Sequence, residues 1–375
     1  MIPFNKPFLT GNEMKYIQLA VESGKISGNG VFTQKVHRFF EAKYNFSKVL
    51  LTTSCTDALE MAAILTGVGP GDEVIVPSYT FVSSALAFVR QGATVVFADS
   101  RSDNPNIDMN SLRELISPRT KVIVPVHYAG VACDMDVIME IAHQYHLWVV
   151  EDAAQGIDSY YKGKPLGGIG HLGCFSFHET KNIISGEGGM LVINDERLRK
   201  RGEIIWEKGT NRAEFFRGEV NKYGWVDIGS SFLPSEVIAA FLYAQLENLD
   251  VIQRKRLELW NSYFDQLLPL SQKGHFELPS IPSYATNNAH MFYVLCHSLE
   301  DRSGLIDYLK RKECMAVFHY LSLHKSKYYS HLTGGEFLPE CDRYADTLVR
   351  LPLFFELKME EVKYVVDCIA EYYLV

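Results

Sequence analysis

The chain has 375 residues, of which 47% are hydrophobic and 22% are charged, a composition that excludes a disordered or fibrous protein. Its 37 basic and 45 acidic residues give a formal net charge of -8, which argues against a general nucleic-acid-binding surface. The 7 cysteines are scattered and never in CxxC spacing, so we expect neither a disulfide framework nor a zinc or other metal site.

The apolar segments of the chain bear on its localisation. The start "MIPFNKPFLTGNEMKY" is interrupted by prolines and charges, unlike the apolar region of a signal peptide. No later segment reaches the roughly 18 apolar residues of a membrane span. We therefore expect a cytoplasmic protein with no membrane partner and no nucleic-acid partner.

From residue 47 onward, strand-like runs alternate with helix-like stretches. In chain order the strand-like runs are "KVLLTT", "EVIVPS", "TVVFADS", "KVIVPVHYAG", "LWVVEDAA" and "GGMLVIN". Each of the first four is followed by a helix-like stretch, such as "CTDALEMAAILTGV" after the first. Short Val- and Ile-rich strands separated by helices are typical of a parallel sheet covered on both faces. The sequence therefore predicts an α/β fold.

The pattern changes after about residue 235. A long helical stretch, "PSEVIAAFLYAQLENLDVIQRKRLELWNSYFDQLLPL", precedes a mixture of shorter strands and helices. We see no internal repeat or flexible linker. We predict a large domain over residues 1–245 and a smaller C-terminal α+β domain over residues 246–375, with the long helical stretch bridging them.

Unusual side chains follow four of the predicted apolar runs, and ligands collect at the carboxyl ends of parallel strands. The hydroxyl-rich "TTSCT" opens a helix after "KVLL", as a phosphate site or an ordinary N-cap would. The aromatic residues at 79–81 suit stacking on a flat ring or simple packing. Glu151 and Asp152 end a core strand, where an acid needs a partner or caps a helix. Lys181 follows the next apolar segment, and a solvated loop lysine is its ordinary interpretation.

Together these four features are the groups that hold pyridoxal phosphate. They provide a phosphate anchor, a ring stack, a carboxylate for the pyridine nitrogen and an amine for the aldehyde. A carboxylate at Asp152 would keep the ring nitrogen protonated, which makes the ring a stronger electron sink. A lysine of lowered pKa at Lys181 would bind the aldehyde and, once released, act as the base that moves a proton.

The ordered motifs "PGDEVIVPSYTFVSSA", "VIVPVHYAG", "VVEDAAQG", "GCFSFHETKN" and "GEGG" extend this interpretation. With them, essentially the whole chain resembles the DegT/DnrJ/EryC1/StrS family of pyridoxal-phosphate sugar aminotransferases. The resemblance implies the aspartate-aminotransferase fold, also called PLP fold type I, with a mostly parallel sheet in the large domain. It also implies pyridoxal 5'-phosphate as cofactor and a homodimer whose active sites are completed by both chains.

The resemblance also implies roles for individual residues. Lys181 corresponds to the Schiff-base lysine, and the other expected cofactor contacts are Asp152 to the ring nitrogen, Gln155 to the phenolic oxygen, Phe81 to the ring face, and Cys55, Thr56 and Ser176 to the phosphate. Cys55 stands where many relatives have glycine or alanine, so its backbone N–H would suffice. His178 is interpreted as structural rather than catalytic.

One departure from the family pattern concerns the contact between subunits. In "GSSFLPS", Ser231 stands where the family often has an asparagine that reaches the neighbouring subunit's phosphate, and Leu233 stands where arginine is frequent. Serine can still donate one hydrogen bond. Whether Ser231 reaches the partner's cofactor stays open at the level of the sequence.

Two further segments suggest the substrate. "EKGTNRAEFFRGEVNKYGWVDIGSS" and "MAVFHYLSLH" resemble the subgroup that transfers the amino group of glutamate to C4 of dTDP-4-dehydro-6-deoxy-D-glucose, giving dTDP-4-amino-4,6-dideoxy-D-galactose for surface polysaccharides. Cations, amides and aromatic rings suit a diphosphate, a sugar and a base, so we expect nucleotide-sugar contacts at Asn211, Arg212, His319, Tyr320 and His324. The alternative is that both segments are ordinary surface loops.

Other functions stay open at this stage. Amination at C3, or production of the gluco epimer at C4, is the nearest alternative. A non-catalytic sensor that retains the cofactor is another, although no basic helix for DNA binding is visible. A related sugar dehydratase is disfavoured because that subgroup has histidine where this chain has Lys181. A dinucleotide-dependent dehydrogenase is disfavoured because no GxGxxG follows the first strand.

Overall fold

The computed structural model describes residues 1–330 and 336–374. Its strands are β1 (Val49–Thr52), β2 (Glu73–Pro77), β3 (Thr94–Ala98), β4 (Thr120–Ile123), β5 (Trp148–Asp152), β6 (Tyr160–Tyr161), β7 (Lys164–Pro165), β8 (Leu172–Ser176), β9 (Gly189–Ile193), β10 (Phe292–Leu295), β11 (Val317–Phe318) and β12 (Leu348–Leu351). All six runs that the sequence predicts as strands are strands.

The α-helices surround these strands. They are α1 (Glu13–Glu22), α2 (Val31–Tyr44), α3 (Cys55–Thr66), α4 (Ser83–Val89), α5 (Met109–Glu114), α6 (Met135–Tyr145), α7 (Glu196–Trp206), α8 (Arg212–Phe216), α9 (Glu236–Leu246), α10 (Leu249–Gln272), α11 (Leu299–Arg311), α12 (Pro339–Thr347) and α13 (Met359–Leu374). Short 3-10 helices cover Tyr128–Gly130 and Leu323–Lys325. None of the helices in the described ranges is both long enough and apolar enough to cross a membrane.

Seven strands form one large sheet in the order β1-β9-β8-β5-β4-β2-β3. The pairs β8–β5, β5–β4, β4–β2 and β2–β3 are parallel, whereas β9 runs antiparallel to both β8 and β1. The strands β1, β2 and β9 are buried along their whole length, as expected for a sheet with helices on both faces. The predicted α/β class with a mostly parallel sheet is confirmed.

The junction of β1 and α3 places the start of a helix at one edge of this sheet. Ser54 caps α3, since its Oγ accepts a hydrogen bond from the Asp57 N–H at 3.1 Å, and Gly67 ends the helix with φ 68°. Gly189, the first residue of β9, lies against this cap. A Cβ atom at Gly189 would lie 2.2 Å from the backbone carbon of Ser54, so only glycine lets β9 begin there.

The C-terminal part forms a second, antiparallel sheet in the order β10-β12-β11. Its central strand β12 alternates between two environments. Val349 and Leu351 belong to a core shared with α10, α11 and α13, while Leu348 packs on the opposite face with the core of the large sheet. Arg350 lies two residues after Leu348 in β12, so its side chain is on the same face as Leu348, toward the large sheet.

The long helical stretch is two helices rather than one, because α9 ends at Leu246 and α10 begins at Leu249. Helix α9 packs on α1 and α2, beside the large sheet. Helix α10 contributes Leu259, Trp260 and Tyr263 to the core of the second sheet. The domain boundary at 245/246, which stays a prediction, falls at the last residue but one of α9.

Candidate active site

A cavity of about 570 Å³ opens at the edge of the large sheet where β1, β2, β5 and β8 end. Nine of the predicted site residues line it, namely Cys55, Thr56, Phe81, Asp152, Gln155, Ser176, Lys181, His319 and Tyr320. Its wall also includes Ser54, Leu59, Thr80, Ser83, Val126, Ala154, His178, Thr180 and Glu187. Parallel strands bring these chain segments, which are distant in sequence, to one edge.

Lys181 lies in the loop between β8 and β9. Its backbone N–H donates to the carbonyl of His178 at 2.9 Å, and the loop is closed by a hydrogen bond from Phe177 N–H to the Gly188 carbonyl at 2.8 Å. Burial lowers the pKa of the Lys181 ammonium to about 8, and the positive charge of Arg350 acts in the same direction. A larger fraction of this lysine is therefore a neutral amine near pH 8 than of an ordinary surface lysine.

The two acids at the end of β5 have different surroundings. Glu151 is fully buried and accepts hydrogen bonds from His127 Nε2 at 2.9 Å and from the N–H groups of Gly167, Ile169 and Gly170 at 2.8, 2.7 and 2.6 Å. Since His127 Nδ1 accepts the Cys133 N–H at 3.1 Å, the proton that faces Glu151 is on Nε2, which donates to the carboxylate. The carboxylate of Glu151 is thus satisfied within the protein.

Asp152 instead reaches the cavity. Its Oδ2 accepts a hydrogen bond from Ser84 Oγ at 2.6 Å and its Oδ1 accepts one from the Ala154 N–H at 3.1 Å. Each carboxylate oxygen can accept a further hydrogen bond, so capacity remains for a ligand. Of the two acids, Asp152 is the one available to a cation in the cavity.

Gln155 and Tyr320 form another part of the cavity wall. The Oε1 of Gln155 accepts the Ala129 N–H at 2.6 Å, and its Nε2 donates to the Tyr320 hydroxyl at 3.4 Å. The ring of Phe81 is 55% exposed and its centroid lies 6.0 Å from that of Tyr320. The Phe81 ring is therefore free to pack on a flat ligand.

The start of α3 provides polar groups at one end of the cavity. The Thr56 and Ser83 hydroxyl oxygens are 2.8 Å apart, and the first turn of a helix carries N–H groups without partners in the helix. Ser176 Oγ accepts the His178 N–H at 3.4 Å. Burial raises the pKa of the Cys55 thiol well above its usual value, so Cys55 stays neutral and offers its backbone N–H. This end of the cavity suits a phosphate.

Five other predicted or discussed residues do not line this cavity. Arg212, Ser231 and Leu233 line a second cavity of about 790 Å³ beside α7 and α8. The side chain of Asn211 bonds Glu214 Oε2 and the Gly224 N–H at 3.2 and 2.9 Å. His324 is buried with Nδ1 2.7 Å from Ser78 Oγ. Within one chain, the predicted substrate residues are therefore divided among three places.

Arg350 is a residue that the sequence analysis did not consider. It lies opposite Tyr293 and Val317 on the neighbouring strands, and its Nε is buried with no hydrogen-bond partner in the described part of the chain. Tyr293 packs on Tyr128, whose hydroxyl is 3.0 Å from His319 Nδ1 at the cavity wall. A charged residue inside the apolar run "LVRLPLF" is the signal that could have drawn attention to it.

Arg350 lines a small recess that shares one wall residue with the cavity of Lys181. The recess is lined by Phe4, Asn5, Thr180 and Arg350, and Thr180 also lines the cavity of Lys181. The guanidinium lies 4.7 Å from the centroid of the Phe4 ring. Burial lowers the pKa of Arg350, and the nearby groups that oppose this shift are tyrosines rather than carboxylates.

Comparisons with known proteins agree with this geometry. The sequence model of the DegT/DnrJ/EryC1/StrS aminotransferase family matches residues 7–370. The chain is 32% identical over 382 residues to GDP-perosamine synthase of Escherichia coli O157:H7, covering 99% of this chain and 98% of that protein. It is 31% identical over 385 residues to the spore coat polysaccharide biosynthesis protein SpsC of Bacillus subtilis, covering 99% and 96%. The structure of a putative sugar aminotransferase, Spr1654 from Streptococcus pneumoniae in its PMP form, superimposes with a TM-score of 0.92 at 25% identity, covering 100% and 99%.

Proposed function

Because the chain belongs to the DegT/DnrJ/EryC1/StrS family and is a pyridoxal-phosphate-dependent sugar aminotransferase, we propose that it moves an amino group from glutamate to C4 of dTDP-4-dehydro-6-deoxy-D-glucose. The product is dTDP-4-amino-4,6-dideoxy-D-galactose, a precursor of surface polysaccharide. The observation that carries the proposal is that Lys181 and Asp152 line the same cavity. The pKa of Lys181 is lowered there.

The cavity residues fit pyridoxal phosphate. Cys55, Thr56 and Ser176 would hold the phosphate, Phe81 would cover the ring and Gln155 would donate to the phenolic oxygen. When bound, the cofactor supplies an aldehyde and an electron-withdrawing ring.

Two residues of the chain then carry the proton chemistry. The Asp152 carboxylate, oriented by the Ser84 hydroxyl, would hold a proton on the pyridine nitrogen. The Nζ of Lys181 would take the proton from Cα of the donor in the first half-reaction and give a proton to C4 of the acceptor sugar in the second.

Arg350 supports glutamate as the donor. A buried cation without a protein carboxylate is unfavourable unless its partner arrives with a ligand. Glutamate carries two carboxylates, and arginine binds a carboxylate through two parallel N–H groups. We place one carboxylate of the donor beside Arg350, on the side of Thr180.

The acceptor is a nucleotide-linked keto sugar. His319 and Tyr320 at the cavity wall would contact the sugar, and the "EKGTNRAEFF" segment would contact the nucleotide. A GDP-linked 4-keto sugar is the second candidate, because a relative that is 32% identical is named GDP-perosamine synthase. The gluco epimer and C3 amination are weaker candidates, since no described feature favours them. The family and the relatives, which are sugar aminotransferases, do not support a non-catalytic sensor.

A homodimer would bring together the predicted site residues that line two different cavities in a single chain. Arg212 and Ser231 line the second cavity, outside the cavity of Lys181, and the segment over 212–228 exposes Phe216 at 68% and Trp225 at 85%. Exposed aromatic residues of this kind mark interfaces. We propose that a second copy covers this segment, so that Arg212 and Ser231 complete the partner's site for the diphosphate and the cofactor phosphate. His324 then has a packing role.

Product analysis tests the proposal. Protein loaded with cofactor and glutamate is incubated with dTDP-linked and GDP-linked 4-keto-6-deoxyhexoses, and each product is assigned by NMR. We expect a dTDP-linked product with the amino group at C4 in the galacto configuration. Exclusive amination of the GDP-linked sugar would favour the second candidate, and no amination of either would contradict both.

A further inference from the structure

Asn182, the residue after Lys181, is buried, and its side-chain amide is fully hydrogen-bonded within the chain. Its Nδ2 donates to the backbone carbonyl of Asn288 and to Gln253 Oε1, both at 2.8 Å. A backbone carbonyl can only accept, so the amide atom that faces it is the nitrogen and the other atom is the oxygen. The orientation of the Asn182 amide is therefore fixed by its partners.

His290 provides the partner for the amide oxygen. Its Nδ1 lies 2.9 Å from Asn182 Oδ1. Because that oxygen can only accept, His290 carries a proton on Nδ1. Burial lowers the pKa of His290 well below its usual value, and the positive charges of Lys181 and Arg350 act in the same direction. His290 is therefore a neutral imidazole that donates from Nδ1 to Asn182.

Asn288 extends these contacts to the part of the cavity wall that Gln155 forms. Its Nδ2 donates to the backbone carbonyls of Gln155 and Ile157, both at 2.8 Å. Its Oδ1 accepts the His290 N–H at 3.0 Å. A Cβ atom at Gly130 would lie 2.0 Å from Asn288 Oδ1, so the backbone there packs directly against this amide. Asn288 therefore fixes the backbone of Gln155, the residue expected to contact the phenolic oxygen of the cofactor.

Asn182, Asn288 and His290, which we call the junction network, join parts of the chain that are distant in sequence. Asn182 belongs to the loop between β8 and β9, whereas Asn288 and His290 precede β10 of the second sheet. All three residues are buried, and both amide nitrogens use their two N–H groups. Moving one of these residues would leave a buried polar group without a partner, which is unfavourable. The junction network is therefore a stiff connection.

We propose that the junction network holds Nζ of Lys181 at the aldehyde carbon of the cofactor, with Asn182 and His290 as positioning residues. The inference rests on the role proposed for Lys181. Lys181 and Gln155 line one cavity, and the network connects the residue after the lysine to the backbone of the glutamine. Asn182 and His290 are not among the residues that line this cavity, so they act through Lys181 rather than on the cofactor.

The position of an amine decides how fast it reacts with a bound aldehyde. A displacement of about 1 Å can slow a reaction between bound groups by about 100-fold. The residues expected to hold the phosphate and the ring, such as Thr56 and Phe81, lie outside the junction network. A break in the network should therefore slow the capture of the aldehyde by Lys181 while the protein still binds the cofactor.

Two substitutions of His290 isolate the contribution of its Nδ1 proton. The side-chain nitrogen of asparagine can take the position of histidine Nδ1, whereas the amide of the longer glutamine reaches the position of Nε2. His290→Asn should therefore keep the hydrogen bond to Asn182 and capture the aldehyde within about threefold of the wild-type rate. His290→Gln should be about 10- to 100-fold slower.

The rate is measured on the full-length protein, freed of cofactor and mixed with pyridoxal phosphate in a stopped-flow spectrophotometer. Borohydride reduction followed by mass spectrometry then shows whether the cofactor is fixed to Lys181. Asn182→Ala removes the other partner of the same hydrogen bond and should slow capture as much as His290→Gln does. The double variant should be no slower than either single variant, because both changes break one connection.

Two controls separate positioning from a general loss of structure. Thr66→Val removes a buried hydrogen bond at the end of α3, where the Thr66 hydroxyl donates to the Ala63 carbonyl at 2.9 Å, and it should leave the capture rate unchanged. Pyridoxamine phosphate has no aldehyde, so its binding reports only the phosphate and ring contacts. Its dissociation constant should stay within about threefold of wild type in every variant.

Several results would overturn the inference. Capture at the wild-type rate in His290→Gln and in Asn182→Ala would show that this hydrogen bond does not position Lys181. Equal slowing in His290→Asn and His290→Gln, or a matching loss of pyridoxamine phosphate binding, would assign the network to the general structure of the cavity. Failure of the wild-type protein to fix the cofactor on Lys181 would contradict the proposed function itself.

Discussion

At the scale of single residues, two buried cationic side chains, Lys181 and Arg350, lie in or beside the candidate active site. Each is proposed to have a different function. Burial lowers the pKa of Lys181 to about 8, whereas the buried Nε of Arg350 has no hydrogen-bond partner among the described residues. Neither arrangement favours stability, since a buried charge loses hydration. Both arrangements are useful if the lysine must react as a neutral amine and the arginine must receive an anion.

The burial of Lys181 predicts a gain in stability when its charge is removed. In the cofactor-free protein, Lys181→Met should raise the free energy of unfolding below about pH 8, where the wild-type lysine is charged in both the folded and the unfolded state. Because the folded-state pKa is the lower one, the gain should shrink as pH rises from 8 toward 10.5, where the lysine becomes neutral in both states.

Urea unfolding at several pH values measures this difference. The same variant should lose transamination entirely, because no amine remains to bind the aldehyde or move the proton. A stability difference that does not depend on pH, or detectable transamination, would contradict the burial and the role assigned to Lys181.

Because we place a carboxylate of glutamate beside Arg350, substitution of Arg350 should impair only the half-reaction with the donor. Arg350→Gln should raise the KM for glutamate by about 10- to 100-fold, the loss expected for hydrogen bonds to a charged group, and should leave the reaction of the amine form with the keto sugar nearly unchanged. Arg343→Gln is the control, since Arg343 lies on α12 and pairs with Glu340. Equal losses in both half-reactions, or an unchanged KM, would remove Arg350 from the donor site.

At the scale of elements, the sequence predicts strands better than the breaks in helices. The runs around β1 to β5 and β9 are short, apolar and flanked by turns, so their burial in a central sheet follows from their pattern. The stretch from 235 to 272 is apolar with helical spacing throughout, so its break at Glu247–Asn248 has no strong local signal. Tertiary packing decides it, because α9 packs on α1 and α2 while α10 packs in the second core.

The candidate site shows the same division. Residues at or just after the ends of strands, such as Asp152, Thr56 and Phe81, are predictable because these strand ends meet at one edge of the sheet. Arg350 is harder to predict. Its importance depends on the lack of a hydrogen-bond partner among the described residues, which a single sequence does not reveal.

The close contact between β9 and α3 predicts that substitution of Gly189 destabilises the protein. Gly189→Ala would place a Cβ atom 2.2 Å from the Ser54 backbone, so the cap of α3 and its phosphate end must shift. We expect a loss of about 1–3 kcal/mol in unfolding free energy, as for other overpacked sites, together with weaker binding of the cofactor. Gly69→Ala, whose Cβ would meet no atom closer than 3.9 Å, is the matched control. A Gly189→Ala protein as stable as the control would contradict the close approach.

At the scale of the whole molecule, the residues proposed for one site lie in two separate cavities of the chain. The proposed dimer brings Arg212 of one subunit to the cavity of Lys181 in the other. A monomeric enzyme would instead need a large movement of the segment over 212–228.

Complementation between subunits tests this arrangement. The Lys181→Ala homodimer should be inactive and the Arg212→Ala homodimer should be slow. A purified heterodimer of the two should have one intact site of two and recover about half of the wild-type activity, as two-fold symmetry requires. A heterodimer no faster than the Arg212→Ala homodimer would place Arg212 in its own subunit's site or outside the site.

The central claim is that one cavity accepts nitrogen from glutamate and passes it to a nucleotide-linked keto sugar. The most direct test follows the visible absorbance of the purified protein loaded with pyridoxal phosphate, first on adding glutamate and then, after removing it, on adding the acceptor. We predict that glutamate bleaches the colour, that a dTDP-linked 4-keto-6-deoxyhexose restores it, and that the free keto sugar restores it poorly because it lacks the remote groups that bind. The account would be contradicted if free keto sugars or pyruvate restored the colour as efficiently as the nucleotide sugar.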